Sequence, residues 1–265
     1  MEAERTVLVV GATGKQGRST VKFLLEPDQP ASPAIKFKAL ALTRDTSSEC
    51  ARQLLERNKQ HVNIFSLVQG DLDKPDSIRK AFQDAASSHG RGIWGVFVAL
   101  AYPRLGESAE GGSKQAKVGP SEEDHLDNSH RAKPRIENCC GELGYQGLNW
   151  IIIRPGFFME NFDGFLGAIT VSGMRAGLDK DTTINLVLLQ SLKASEDIGR
   201  VAAGVLMKHD KHLHKTLAIT SEAATMEHIS ESYKRATGRP IPAVPILVGK
   251  SLVKINAALQ DVYVP

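Results

Sequence analysis

Through residue 99 the hydrophobic residues fall into short continuous runs separated by stretches of helical periodicity, an alternation that predicts a parallel α/β sheet. Val7-Leu8-Val9-Val10 is apolar without a break, as expected of a central strand buried on both faces. Residues 37–42, 63–68 and 93–99 read as three further strands. Residues 19–25, 48–58 and 75–85 carry helical spacing between them. Cys50, Ala51, Leu54 and Leu55 share one face of the second helix, and Ile78, Ala81, Phe82 and Ala85 form the stripe of the third. Asp73 is placed to cap that third helix, with Pro75 in its first turn. Residues 26–33 contain three prolines and read as a surface loop. Right-handed crossovers through such a series give an open sheet with helices on both sides.

The regularity stops after residue 101. As far as residue 147 the chain is mostly polar, with one short helical signal at 107–117 and a helix expected over 134–143. The next strand is 149–153, which ends at Arg154-Pro155-Gly156. In the usual 3-2-1-4-5-6 strand order a fifth strand is then missing, and its loss would leave the edge of 93–99 unpaired. Strand 149–153 is therefore predicted to move over beside 93–99. Further on, 186–189 and 216–219 read as strands, Ser195 as the cap of a helix over 197–207, and Thr225 as the cap of a helix that stops at Gly238-Arg239-Pro240. Residues 246–259 read as an amphipathic helix. The expected architecture is a Rossmann-like doubly wound parallel sheet with one strand deleted, spanning 1–162, and a small C-terminal α+β lobe over 163–265.

Composition narrows the function classes. The chain has 265 residues, 42% of them hydrophobic, enough for a sizeable core. Its net charge of +3 is spread along the sequence without a basic stripe, so direct nucleic-acid binding is not expected. No apolar run is long enough to span a bilayer, and Glu2 and Glu4 stand where a signal peptide would be basic. Three cysteines, with Cys139 and Cys140 adjacent, suit the reducing cytosol or nucleus and read as buried thiols on a helix.

The chemistry concentrates at Gly11-Ala12-Thr13-Gly14-Lys15-Gln16-Gly17, directly after the first strand and before the first helix. Gly11 permits the sharp exit from the strand, Gly14 lets backbone amides approach a pyrophosphate, and Gly17 lets the helix lie close to the sheet. The helix N-terminus faces the phosphates with free N–H groups. The spacing is one residue longer in its first gap than the strict dinucleotide fingerprint. Arg44, at the carboxyl end of the second strand, is placed to fork onto a 2′-phosphate, which favours NADP over NAD; the alternatives are that Asp45 accepts from a ribose hydroxyl or that both are solvated. Asp71, past the third strand, is a candidate acceptor for the adenine amino group and equally a turn residue. Glu160-Asn161 follows a strand end, where ligand-contacting loops occur or where a helix is capped.

Other constellations point away from classical acid catalysis. No tyrosine among Tyr102, Tyr145, Tyr233 and Tyr263 has a lysine four residues later, so the Tyr-x-x-x-Lys acid of the wider short-chain class is missing. Ser129 stands four residues before Lys133, but Pro134 biases Lys133 toward an extended conformation, which would take the two off a common helical face. His209, His212 and His214 lack a carboxylate or cysteine spaced to complete a metal site and read as solvated.

The glycine turn together with Leu42-Thr43-Arg44, Gly70-Asp71-Leu72-Asp73, the run from Arg154 through Phe162 and Asp197-Ile198-Gly199 resembles the NmrA-like family of atypical short-chain dehydrogenase relatives, over most of the chain. The resemblance implies an NADP(H) or NAD(H) site on a Rossmann domain with a small C-terminal lobe. It implies further that 11–16 cradle the pyrophosphate, that Arg44 meets the 2′-phosphate and Asp71-Leu72 flank the adenine, and that Phe158, Met159, Glu160 and Asn161 approach the nicotinamide. Lys133 matches the family lysine, as a cofactor contact or a catalytic group. Compared with such relatives the chain lacks a helix and strand near Lys117 and Val118, and the relatives continue past the equivalent of Pro265. Two function classes follow: a redox-sensing regulator whose NADP(H) occupancy sets affinity for a protein partner, with weak or no turnover, or an NADPH-dependent reductase of quinones or other electron-poor molecules. The expected compartment is cytoplasmic or nuclear.

Overall fold

The computed structural model describes residues 3–28, 35–89, 92–99, 129–162, 164–187 and 194–245. The expected helix signals at 107–117 and 246–259 lie outside those residues. The chain forms two compact units, Met1–Ala101 with Ser195–Lys211, and Tyr102–Ala194 with His212–Pro265.

The first unit is built on four parallel strands, β1 (Ala3–Val10), β2 (Ile35–Thr43), β3 (Phe65–Gln69) and β4 (Gly95–Val98), in the order β3-β2-β1-β4. This is the α/β, Rossmann-like half that the apolar runs predict. Period-2 alternation divides the sheet between two cores. Val7, Val9, Phe37, Ala39 and Ala41 pack on one side with Val21 and Leu24 of helix α1 (Lys15–Leu25), Leu54 of α2 (Glu49–Arg57) and Ala203 of α6 (Ala194–Met207). Leu8, Val10, Leu40 and Leu42 pack on the other side with Ala81 and Ala85 of α3 (Pro75–His89). Both faces of β1 are thus covered, as a doubly wound sheet requires.

Several local expectations are corrected. On α2, Ala51 and Leu54 are buried but Cys50 and Leu55 are exposed, so the apolar stripe is half as wide as its spacing implies. Phe82 on α3 is likewise exposed. At the start of α3 Pro75 is the first helical residue, and the carboxylate accepting there belongs to Asp71, from the Asp73 N–H at 3.1 Å. Helix α4 (Ser129–Gly144) begins five residues before the expected 134 and runs through Pro134, so Ser129 and Lys133 lie four apart on one helix. Pro134 is the sixth residue of this helix, past its first turn, so the ladder continues without the bond that an N–H at 134 would make to the carbonyl of residue 130. Helix α6 starts at Ala194, which places Ser195 inside the helix instead of at its cap.

The largest correction concerns β5 (Ile151–Pro155). It does not fill the place beside β4; it pairs in parallel with β8 (Lys215–Ile219) in a separate two-stranded sheet, Ile151 opposite Lys215 through Pro155 opposite Ile219. Among the described residues β4 has β1 as its only strand partner, and Val96 and Val98 are 43% and 52% exposed. The second unit also contains a three-stranded sheet, β6 (Phe157–Phe158), β7 (Thr183–Val187) and β9 (Glu222–Thr225), with α5 (Gly164–Gly177) and α7 (Met226–Thr237). Its core joins Phe162, Val171, Met174, Leu186, Ala224 and Ile229. Thr225 caps α7 by accepting from His228 N at 3.3 Å, and Gly238 closes it in the left-handed region at φ +70°, both as the sequence predicts.

Candidate functional site

The register of the first sheet brings three strand ends to one edge. Val10 is opposite Leu42 and Thr43 is opposite Gln69, so Gly11, Arg44 and Gly70-Asp71 leave the sheet side by side at its carboxyl end. Two hydrogen bonds fix the neighbouring exits: Gly70 N donates to Thr43 O at 2.9 Å, and Gln69 Nε2 donates to Arg44 O at 3.2 Å.

The glycine turn is fixed by sterics. Gly11 sits at φ +78°, and a β-carbon there would press on the Ala99 carbonyl, with the carbonyl carbon 3.3 Å away. Gly14 N donates to Gly11 O at 2.9 Å, closing the turn. A β-carbon at Gly17 would stand 2.6 Å from the Gly11 carbonyl carbon and 2.7 Å from Ala12 Cα. Only a residue without a side chain lets α1 start this close to the strand it follows. Ala12 is fully buried, Thr13 and Gln16 are half-buried, and Lys15 is exposed.

The electrostatics of this turn suit an anion. Gly14 is the N-cap of α1 and offers no side-chain acceptor, and the first turn holds no acidic residue. Arg18 N makes the first backbone bond of the helix, to Gly14 O at 3.0 Å, so the amides of Lys15, Gln16 and Gly17 precede the ladder. Lys15 and Arg18 add positive charge to the positive end of the helix dipole. The donor set and the absence of a β-carbon fit a pyrophosphate.

Arg44 is exposed and makes no ion pair among the described residues. Its neighbour Asp45 is committed to its own turn. Asp45 Oδ1 accepts from Ser47 Oγ at 2.6 Å and from Ser47 N at 2.8 Å, and Ser48, the cap of α2, donates its hydroxyl to Asp45 O at 2.8 Å. The Ser47 hydroxyl, then its amide, hold the Asp45 carboxyl below its ordinary value of 3.8. Asp71 is also a turn residue: besides accepting from Asp73 N, its own amide meets Ser77 Oγ at 2.9 Å. Leu72 beside it is an exposed apolar side chain at 52%.

The remaining candidates belong to the second unit. Phe158 ends β6, opposite Val187, and is half-buried. Met159, Glu160 and Asn161 form a 3₁₀ turn closed by Phe162, which is 1% exposed and packs on Phe157 with ring centroids 5.1 Å apart. Asn161 is exposed. The side chains of Met159, Glu160, Ser129 and Lys133 lie outside the described residues.

His209 is not solvated as expected: Arg5 Nη1 lies 3.1 Å from its Nδ1, the Arg5 guanidinium covers the Trp94 ring at 4.3 Å, and Trp94 meets the imidazole edge-on at 4.9 Å. Its sequence signal was Trp94, an aromatic just ahead of β4. Among the described residues no cluster of metal-ligating side chains forms. Cys139 and Cys140 are half-buried on α4, and burial, with Cys139 and Glu137 alongside, pushes the Cys140 thiol up. Sequence reasoning also missed the pairing of Arg154 with Glu137, for which a carboxylate on the expected helix was the available sign.

Fold and glycine turn together define a Rossmann-like α/β protein with a glycine-rich turn between its first strand and first helix. Residues 3–89 match the profile of the NmrA-like family, a span that contains the glycine turn, Arg44 and Asp71. The NmrA-like family domain-containing oxidoreductase ptmS of Penicillium ochrochloron is 24% identical, over 93% of this chain and 77% of its own. An NAD(P)H azoreductase of Xenophilus azovorans is 28% identical, over 91% of this chain and 77% of its own. Among solved structures, NmrA, a negative transcriptional regulator in complex with NAD, superposes with a TM-score of 0.53 at 17% identity, covering 99% of this chain and 82% of its own. Among the described residues no helix is long and apolar enough to cross a membrane.

Proposed function

We propose that this chain binds NADP(H) at the carboxyl edge of β1, β2 and β3, and that nucleotide occupancy is what it reports to a protein partner. The observation that carries the reading is a helix start whose amides at 15–17 precede the ladder, at the same sheet edge as an exposed Arg44 that makes no ion pair among the described residues. The pyrophosphate takes the amides of residues 15–17, Arg44 takes the 2′-phosphate, and Asp71 and Leu72 border the adenine. NAD is the weaker ligand because it lacks the 2′-phosphate that the Arg44 guanidinium is placed to meet. Lys133 and the 158–161 turn are assigned to the nicotinamide side. A regulatory role rests on the lack of a Tyr-x-x-x-Lys acid. Its test is reciprocity: partner affinity measured with and without saturating NADPH must differ by the factor by which the partner changes NADPH affinity. Identical partner affinity in both conditions would end this reading.

A second reading, NADPH-dependent reduction of quinones or other electron-poor acceptors, is favoured by Ser129 and Lys133 sharing α4 and by the oxidoreductase names of the relatives. There the nicotinamide supplies the hydride and the protein orients the acceptor. NADPH consumption above background with a quinone and azo-dye panel supports it; none across the panel removes it.

A further inference from the structure

The chain leaves β3 through Gly70 and enters α3 at Pro75, and one hydroxyl on α3 holds the segment between them. Asp71 N donates to Ser77 Oγ at 2.9 Å, and the same Ser77 hydroxyl lies 2.7 Å from Lys74 O and 3.2 Å from Asp71 O. A hydroxyl has one hydrogen and two lone pairs, so Ser77 accepts from the Asp71 amide and donates to the nearer carbonyl, that of Lys74. Lys74 N donates in turn to Asp71 O at 2.9 Å, which closes the turn from Asp71 to Lys74. Ser77 therefore braces both ends of that turn. Its base is firm, because the next residue, Ile78, packs with Leu8, Val10, Leu40 and Leu42. Gly70 is seated against the same group: its amide donates to Thr43 O at 2.9 Å, and a β-carbon on it would stand 2.8 Å from Leu42 Cδ1 and 3.2 Å from Ile78 Cδ1. All of these residues belong to the first unit.

Asp71 is thus held through its backbone, while its carboxylate keeps capacity to accept. Oδ1 takes the Asp73 amide at 3.1 Å, whereas an ionised carboxylate offers about four lone-pair sites. The Asp73 bond orients the group without filling it. We infer that Ser77 is a positioning residue for base recognition: it fixes the Asp71 turn so that the carboxylate accepts from the adenine amino group and selects against a base that lacks one. The inference rests on the proposed NADP(H) site and goes beyond it by assigning a residue that touches no part of the nucleotide. Hydrogen bonds weaken steeply when misaligned, so a turn released from α3 loses its discrimination between bases while the phosphates still hold the ligand. Alanine at 77 removes the acceptor for Asp71 N and the donor to Lys74 O together; threonine keeps both.

The test uses the full chain and three probes: NADPH, NADH, and the purine analogue of NADPH in which a hydrogen replaces the adenine amino group. The wild-type chain is expected to prefer NADPH over the purine analogue about tenfold. Ser77→Ala should reduce that preference to about twofold or less by weakening NADPH alone, and should leave the preference for NADPH over NADH, which Arg44 sets, unchanged. Ser77→Thr should restore the wild-type preference. In an Asp71→Ala background Ser77→Ala should change the preference no further, since it acts through Asp71. A role confined to stability would lower the thermal midpoint and leave the ratio of the two affinities where it was. An undiminished preference in Ser77→Ala, equal losses for NADPH and the purine analogue, or no such preference in the wild type would overturn the inference while leaving the dinucleotide site standing. Failure of the wild-type chain to bind NADPH at all would remove the site itself and the inference with it.

Discussion

Gly17 lies so close to Gly11 that a β-carbon on it would stand 2.6 Å from the Gly11 carbonyl carbon. The atoms in the way are backbone and cannot swing aside. Gly17→Ala should therefore cost about 1–3 kcal/mol of unfolding free energy, read as a lower denaturant midpoint. Gly14 is different. Its φ of −80° suits any residue and its β-carbon would stand 3.2 Å from Gly11 O, so Gly14→Ala should fold with a change of only about 0.5 kcal/mol and lose about tenfold in NADPH affinity. If both variants fold and bind like wild type, the turn does not do what is claimed for it.

Arg44 is exposed and free of ion pairs among the described residues, so its replacement should show in ligand selection and not in stability. Arg44→Ala is expected to weaken NADPH binding by about 1.5–3 kcal/mol, leave NADH binding unchanged and shift unfolding by less than about 0.5 kcal/mol. Isothermal titration with both nucleotides reads the first two quantities. A parallel loss for NADH would assign Arg44 to some other contact.

The Asp45 turn makes an acid-side prediction. Its carboxyl is depressed in the folded chain, mainly by the Ser47 hydroxyl, so its contribution to stability is fully present above the ordinary value of 3.8. That contribution fades as pH falls through the lower folded value. Ser47→Ala should flatten this limb: the difference in melting temperature from wild type, present at pH 7, should shrink toward zero as the pH falls below 3.8. A difference that grows on acidification would contradict the assignment.

Cysteine reactivity should follow burial. Cys50 is exposed on α2, while burial holds the Cys140 thiol protonated at neutral pH. Iodoacetamide at pH 7, followed by peptide mapping, should label Cys50 first and Cys140 last. Equal rates would show that burial does not set the reactivity of these thiols.

Much of this was legible from residue order, where the deciding interactions are local. Val7 through Val10 had to be buried on both faces, and the glycines after them had to turn, so β1, the turn and α1 followed directly. The Thr225 cap and the Gly238 stop of α7 were equally plain. Elements decided by distant partners were not. Ile151 through Ile153 read clearly as a strand, but whether it lies beside β4 or β8 depends on residues 215–219. Helix α5 went unread because glycines at 164, 167, 173 and 177 depress its propensity, and its apolar packing on Phe162 and Leu186 outweighs that penalty. Pro134 misled because it reads as a helix boundary, whereas α4 runs through it as its sixth residue, giving up one ladder bond. At the site, Arg44 and Asp45 were both visible in the sequence, but the bond from Ser47 to Asp45 Oδ1 depends on a turn that residue types alone did not reveal.

The most direct test of the NADP(H) site is equilibrium binding of NADPH, NADH, NADP⁺ and NAD⁺ to the full chain at two salt concentrations. The phosphorylated nucleotides should bind about 10–100-fold tighter than their counterparts at low salt, and that ratio should narrow as salt screens Arg44. Equal affinity within each pair, or no binding of any of the four, would contradict the account.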